Sequence, residues 1–475
     1  LKQVEENLTE DPFDFISELL RGEMSESEYE KDINTDVSEN AHTTLRLSRD
    51  YAEWGFYDEA VSLIEACVEK NPMLLYYKGF YLSKLGDTKA SKKAYKEAQA
   101  VDPTYCFPNT LEDILVLNAA IKADPDDSKA YYYLGNLYYD KLRYDEAISL
   151  WEKSVKIDAT FPTVLRNLSI AYYNKKGDKE NAIKCLEKAF SLDKKDARVF
   201  LELDQLLKML GKAPEERLSR YKENISLIED RDDLYTEYVT VLNLTGAYEE
   251  AIKAIRCHAF RTWEGAEGKI STQFKTCLLE LARKELKNKN AKKAEEYLRE
   301  ALSYPHNLGE GRLEGTKDNH LYYHLGLTLE MQGKETEAKE CYKLATLGAS
   351  EVAGMLYYYD QPADMILYQG LSYKKLSDEK KAKEKFDMLL EYGEAHMGDT
   401  FKQDYFAVSM PDFAIFDEDM TKKNYLHCLY VSGLGRLGLN DKKKAVKDFN
   451  EVLKEDKCHQ NALLYKNECD SINIL

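Results

Sequence analysis

The chain has 475 residues, of which 32% are charged and 44% are hydrophobic, and its formal net charge is −18 at pH 7. This balance disfavours a general nucleic-acid surface, which needs a basic footprint, and no apolar run in the sequence is long enough to span a bilayer. The nine cysteines include no Cys-x-x-Cys pair, which is typical of buried thiols in a reducing compartment and predicts a cytoplasmic location.

The first 40 residues are acidic and rich in turn-forming residues, and we expect a linker or adaptor with one short helix after Pro12. From residue 41 onward, small and aromatic positions recur in a pattern that predicts helix–turn–helix hairpins. The clearest copy spans 319–345, where Gly326 and Ala338 leave room for two helices to approach. Because one such hairpin cannot bury its own apolar face, it requires neighbouring hairpins.

The hairpin pattern divides residues 41–475 into segments of different regularity. In chain order we predict regular hairpins at 41–103 and 128–195, irregular segments at 104–127 and 196–231, insertion-bearing hairpins at 232–456 and a C-terminal cap at 457–475. The first irregular segment has room for one helix, Leu111 to Ala123. One regular hairpin carries an extra residue near Gly177. No strand pattern of comparable length competes with this all-α prediction.

The repeated offsets, such as those of Gly135, Tyr138, Ala147 and Trp151, resemble the tetratricopeptide repeat over nearly the whole chain from Ala41. The resemblance implies an all-α, right-handed α-solenoid, or superhelix, of about ten hairpins, in which the first helix of each hairpin lines a concave groove. The in-phase repeat, the acidic composition and the absence of a catalytic motif together predict a non-enzymatic interaction or scaffold module without a cofactor, which binds a protein or peptide partner through the concave surface.

The segments between repeats, including YCFPNTLEDILVL, RTWEGAEGK and YYYDQPAD, are similar to a second, narrower group. They resemble the C-terminal tetratricopeptide region of large bacterial proteins that carry an N-terminal β-rich domain of uncharacterised function. This similarity implies that the chain is the solenoid part of a larger protein and that the β-rich domain is a partner. It leaves an alternative function open, namely an accessory part of a carbohydrate-active protein.

Four insertions in the second half are long, Gly-rich and aromatic, which a plain spacer loop need not be. Carboxylates, Asn, Trp and Tyr bind sugar hydroxyls and stack on sugar faces, and a carboxylate pair can cleave a glycosidic bond. Alternatively, the loops brace one another or dock a second domain. The candidate binding residues in the insertions are Trp263, Glu264, Glu267, Asn307, Glu310, Asp360, Gln361, Asp364, Asp404, Tyr405 and Asp412.

The first helix of the clearest hairpin adds His320, Tyr323 and His324 to the candidate binding residues. Two histidines four positions apart can share a metal ion, but no Glu follows His320 and both lie within a repeat helix. We therefore favour packing or groove lining over metal binding and predict no metal site. No phosphate-binding loop or nucleophile motif occurs where this fold would support it, so we predict no catalytic residue.

Paired tyrosines recur on the predicted first helices, for example Tyr76–Tyr77 and Tyr322–Tyr323. Because adjacent helical positions point about 100° apart, we expect one ring of each pair in the core and the other in the groove. A groove-facing tyrosine would offer apolar area and a hydroxyl to a bound partner.

Overall fold

The computed structural model describes residues 2–11, 17, 39–229, 231–261, 266–355, 362–401 and 415–470. Within these ranges the chain is helical and contains no strand, so the all-α prediction is confirmed. The chain divides into two compact units, Leu1–Asp193 and Lys194–Leu475. The short helix expected after Pro12 falls outside the described residues.

The first unit contains four helix hairpins, α2/α3, α4/α5, α7/α8 and α9/α10, with a single helix, α6, between the second and third. Its helices are α1 (Lys2–Glu10), α2 (Ala41–Glu53), α3 (Tyr57–Ala66), α4 (Pro72–Lys84), α5 (Thr88–Ala100), α6 (Leu111–Ala123), α7 (Ser128–Asp140), α8 (Tyr144–Ile157), α9 (Pro162–Ala171) and α10 (Lys179–Leu192).

The second unit contains six hairpins, α11/α12 through α21/α22, and a final helix, α23. Its main helices are α11 (Ala197–Met209), α12 (Pro214–Glu223), α13 (Asp232–Leu244), α14 (Tyr248–Cys257), α15 (Lys269–Lys287), α16 (Ala291–Ala301), α17 (Asn319–Met331), α18 (Glu335–Ala345), α19 (Asp364–Lys375), α20 (Glu379–His396), α21 (Met420–Gly438), α22 (Lys442–Glu455) and α23 (Gln460–Asp470). The described residues of the two units thus form ten hairpins, the number that the sequence predicts.

Close packing inside a hairpin depends on a glycine in its first helix and a ring in its second. A Cβ atom added to Gly79 would lie 2.5 Å from the Tyr95 ring, and one added to Gly135 would lie 2.5 Å from the Trp151 ring. Both distances are shorter than any van der Waals contact, so only glycine lets the ring lie against the helix backbone. This contact explains why the glycine and aromatic offsets recur along the sequence.

The extra residue of the fourth hairpin is absorbed without breaking its first helix. After α9, residues Tyr172–Lys176 form one π-helical turn, which ends at Gly177 with φ +63°. A π-turn accommodates one inserted residue by widening the helix locally, and the left-handed end suits glycine. The hairpin register is therefore restored before α10.

The single helix α6 begins and ends where the sequence predicts, and it packs against the first helices α4 and α7. The Tyr77 hydroxyl donates to Asp113 of α6 at 2.7 Å, and Arg49 of α2 donates to Thr110, the N-cap residue, at 2.9 Å. An additional helix therefore covers part of the first-helix face of the first unit.

This covering corrects one expectation about the tyrosine pairs. Tyr76 and Tyr77 are both buried, because Tyr77 lies under α6 and the Tyr76 hydroxyl donates to Asp127 at 3.0 Å. At Tyr322 and Tyr323, in contrast, the first ring is partly exposed and the second is buried. The prediction of one groove-facing ring in each pair is thus wrong where a further element covers the first helices.

Candidate functional site

The first helices of the second unit form a continuous surface, because each contacts the next along the series α13, α15, α17, α19 and α21. We call this surface the first-helix row. Most side chains on it are apolar, but its central helices α15, α17 and α19 carry a group of buried polar and ionisable residues. These residues form the candidate site.

Arg283 of α15 connects three helices of the row. Its side chain is almost completely buried, its Nε donates to His324 Nε2 of α17 at 3.1 Å, and its Nη2 donates to the Tyr368 hydroxyl of α19 at 2.7 Å. Its Nη1 forms an ion pair with Glu280 one turn earlier. Because guanidinium donors have a fixed planar geometry, these bonds set the spacing of the three helices.

The hydrogen bonds of His324 define its protonation state. Its Nδ1 donates to the backbone oxygen of His320 at 2.7 Å while Nε2 accepts from Arg283, which corresponds to the neutral imidazole. Burial, reinforced by the Arg283 charge, lowers the pKa of His324 well below its ordinary value. Burial also lowers the pKa of His320, to about 3.

Both nitrogens of His324 are thus engaged with the protein, which leaves no lone pair for a metal ion. The part of the chain that the structure describes contains no cluster of three or more metal-binding side chains. Tyr323 packs beside His324, with its ring centroid 5.6 Å from that of Tyr368. His324 and Tyr323 thus pack within the row.

The last helix, α23, lies against this row. The Tyr465 hydroxyl donates to Asp364 Oδ2 of α19 at 2.9 Å, and the Glu468 carboxylate forms an ion pair with Arg283 of α15. Near its start, the Gln460 side-chain amide hydrogen-bonds that of Gln273 of α15 at 3.0 Å. One short helix therefore contacts the row at two of its helices through hydrogen-bonding groups.

α23 also packs on the preceding hairpin, α21/α22, and the connection before α23 contacts the first hairpin of the unit. The Tyr465 ring lies 6.2 Å from Tyr430 of α21 and 6.3 Å from Phe449 of α22, between centroids. Just before α23, the Cys458 sulfur accepts from Arg217 Nη1 of α12 at 3.4 Å. The C-terminal segment thus returns to the beginning of the second unit.

Burial raises the pKa values of two carboxyl groups at the contact between α23 and the first-helix row. It raises the pKa of Asp364 to about 6 and the pKa of Glu468 to about 7, although Tyr465 and Arg283 respectively counteract the shift. Asp364 Oδ1 has no hydrogen-bond partner in the described structure. The docked position of α23 therefore contains carboxyl groups whose charged forms are incompletely solvated.

The inserted loops, in contrast, support one another. Asn307 donates its side-chain amide to the backbone oxygens of Ile255 and His258, at 2.7 and 2.9 Å. The Glu310 carboxylate accepts from the backbone N–H groups of Gly268 and Ser271 at the start of α15, at 2.9 and 3.1 Å. Both side chains bind backbone groups of the preceding connection and thereby fix the loops.

The structure thus separates the predicted binding residues into groups. His320, Tyr323, His324 and Asp364 lie on the first-helix row, Asn307 and Glu310 lie in the braced loops, and Glu267 is exposed. The remaining candidates, Trp263, Glu264, Asp360, Gln361, Asp404, Tyr405 and Asp412, fall outside the described residues. A carbohydrate site built by the insertions therefore stays a prediction.

Sequence reasoning missed Arg283, Tyr368, Tyr465 and Glu468, which make the main polar contacts of the site. A weak signal exists at Arg283, which directly follows Ala282, a small-residue position of the repeat. Tyr465 and Glu468 are three positions apart and so share one face of a helix. Neither signal identifies the residues that these side chains contact.

Models of the tetratricopeptide repeat match residues 74–105, 128–161, 167–196 and 320–347. Among curated proteins, the chain is 22% identical over 225 residues to the TPR repeat-containing protein YpiA of Bacillus subtilis (strain 168), a match that covers 44% of this chain and 53% of that protein. The chain thus spans about half the length of this relative.

Several solved structures are also similar. They include YrrB, described as a TPR protein with an unusual peptide-binding site (16% identity, 48% of this chain, 97% of that chain, TM-score 0.30). They also include MamA residues 41 to the end from Desulfovibrio magneticus RS-1 (19%, 40%, 97%, 0.25) and the thermophilic TPR protein TTC0263 from Thermus thermophilus (18%, 42%, 98%, 0.24).

None of the described helices is long and apolar enough to cross a membrane. The four matched segments agree with the hairpins of the structure, and the chain therefore carries tetratricopeptide repeats in both of its units.

Proposed function

We propose that this chain is a non-enzymatic scaffold that binds a helical segment of a partner protein along the first-helix row of the second unit. Tetratricopeptide repeats in general serve as protein-interaction scaffolds. The observation that carries the proposal is α23, which is seated on the row through Arg283 and Asp364.

The chemistry of the row suits recognition of a helix. Arg283 and Tyr368 are held by neighbouring helices of the row, so their donor and acceptor atoms are in place before a ligand arrives. Arginine and tyrosine contribute strongly to binding when they are buried at the centre of an interface. A helix laid in a groove presents side chains three or four positions apart to such anchors.

A display library of helical peptides, selected against the full chain, tests this proposal. Selected peptides that carry a photoreactive benzoylphenylalanine should cross-link to α15, α17 or α19. Cross-links confined to the second helices α16, α18 and α20, or failure to select any binding peptide, would contradict it. The same peptides with a scrambled sequence serve as the control.

A further inference from the structure

The contact between α23 and the first-helix row is more polar than a permanent helix interface. Among the described residues of α23, Ala462 and Tyr465 are the fully buried ones, whereas Leu463 and Leu464 remain partly exposed. Permanent interfaces resemble a divided hydrophobic core, and exchangeable ones are smaller and more polar. The composition of this contact is that of an exchangeable interface.

The electrostatics of the docked helix also favour an exchangeable contact. Docking buries the Glu468 carboxyl against Arg283 and the Asp364 carboxyl against Tyr465. Burying a charge removes its hydration, and this cost offsets much of the attraction between the partners. The ion pair therefore specifies where α23 docks, and removal of Glu468 would leave the buried Arg283 charge without this counter-ion and loosen the docked helix.

The covalent connection keeps α23 close to its site. Four residues, Asp456–His459, join α22 to α23, and a tether this short gives an effective concentration on the order of millimolar. A weak contact is thus occupied in the isolated molecule, while a tighter external helix can still replace it.

We infer that α23 is a built-in competitor for the partner site, and that the partner helix presents the same two groups, an aromatic hydroxyl for Asp364 and a carboxylate one turn later for Arg283. This inference rests on the proposed function and adds to it the chemistry of the partner and its regulation by α23. The partner displaces α23 from α15 and α19, and any change that loosens α23 opens the site.

A fluorescent peptide with the sequence of residues 456–470, its cysteines replaced by serine, serves as the probe. Its affinity is measured for the full chain and for the full chain that carries both Tyr465→Phe and Glu468→Gln. We expect at least about 10-fold tighter binding to the doubly substituted chain, because its own α23 competes less well. Asn467→Ala, at an exposed position of the same helix, should leave the affinity unchanged.

A second probe tests the chemistry of recognition. The same peptide with Phe and Gln in place of its Tyr and Glu should bind the doubly substituted chain at least about 10-fold more weakly than the first probe. Equal affinity of the first probe for the native and substituted chains would overturn the inference. Display-selected peptides that cross-link to the row would still support the proposed function in that case.

Hydrogen exchange of the native chain provides a measurement that needs no substitution. Backbone amides of α23 should exchange at least about 100-fold faster than those of α22, since release of α23 is a local opening. Addition of the first probe in excess should accelerate exchange in α23 further. Equal protection of α22 and α23 would show that α23 is a permanent part of the fold, and would overturn the inference even if the doubly substituted chain failed to fold.

Discussion

Each unit contains one additional helix packed on the first helices of its hairpins, but the two helices are held differently. α6 of the first unit lies in mid-chain, is connected at both ends, and buries the apolar residues Val116, Leu117 and Ala120. α23 of the second unit follows the four-residue connection Asp456–His459, and it contacts the first-helix row through the polar groups of Tyr465 and Glu468. The contact chemistry thus distinguishes the two helices: we expect the apolar α6 to be a permanent part of the core, and we infer that the polar contact of α23 is exchangeable.

The largest effect is expected from the apolar core under α6. Leu117→Ala should lower the free energy of unfolding by about 2–5 kcal/mol, because the removed methyl groups leave a cavity at a fully buried site. Denaturant unfolding of the full chain measures it. Leu115→Ala, on the exposed side of the same helix, should change stability by less than about 0.5 kcal/mol. Equal effects would contradict a permanent role for α6.

Acidification should lower the stability of the second unit more than that of the first. His42 is the only histidine among residues 1–193 and is exposed. In the second unit, burial lowers the pKa of His320 to about 3 and of His427 to about 4, and it also lowers the pKa values of His324 and His459. The folded second unit therefore binds fewer protons than its unfolded form, and it loses stability as the pH falls below 6.5.

The carboxyl groups of Asp364 and Glu468 act in the opposite direction, because their raised pKa values favour the folded state as they gain protons. We expect a net loss of about 2–4 kcal/mol in the second unit between pH 7 and pH 5. Hydrogen exchange at both pH values, corrected for intrinsic exchange rates, measures the loss of stability in each unit separately. Equal losses in both units would contradict this assignment of the buried imidazoles.

Replacement of the glycine that packs against a ring should destabilise a hairpin equally in both units. Gly135→Ala in the first unit and Gly326→Ala in the second each place a methyl group against a ring, that of Trp151 and of Tyr342 respectively. Such overpacking costs about 1–3 kcal/mol, measurable as a lower denaturation midpoint. Gly311→Ala, where a Cβ atom meets no other atom within 4 Å, is the control.

The smallest and most discriminating effect concerns two tyrosine hydroxyls. Tyr77→Phe removes the bond to Asp113 under α6 and should lower global stability by about 0.5–1.5 kcal/mol. Tyr465→Phe removes the bond to Asp364 and should mainly accelerate hydrogen exchange within α23. If Tyr465→Phe lowers global stability as much as Tyr77→Phe does, α23 is held as permanently as α6.

The repeat architecture was predictable because its determinants are local. The offsets between Gly135 and Trp151, or between Gly326 and Tyr342, report one contact within one hairpin. The helix from Leu111 to Ala123 follows from its apolar run and its flanking turn residues. An extra residue near Gly177 indicates an irregularity, although the sequence does not show that the irregularity is a π-turn.

The sequence predicted the region of the candidate site but not the contacts within it. His320, Tyr323 and His324 lie in the hairpin that best matches the repeat, Asp364 begins the next hairpin, and all four lie on the first-helix row. The contacts of Arg283 were not predictable, because an arginine within an amphipathic helix normally extends to water. Burial of that side chain results from helices that arrive later in the chain.

The sequence by itself thus determined the class of fold, the number of hairpins and the single helix Leu111–Ala123, since residues within about 34 positions of each other encode these features. Tertiary structure alone decided that α6 covers Tyr77 of the first unit and that α23 is seated on the first-helix row of the second. Gln273 and Gln460, for example, are 187 positions apart and meet only because successive hairpins bring the end of the second unit to α15. Contacts at such separations depend on the summed geometry of all the hairpins between them, which no local pattern specifies.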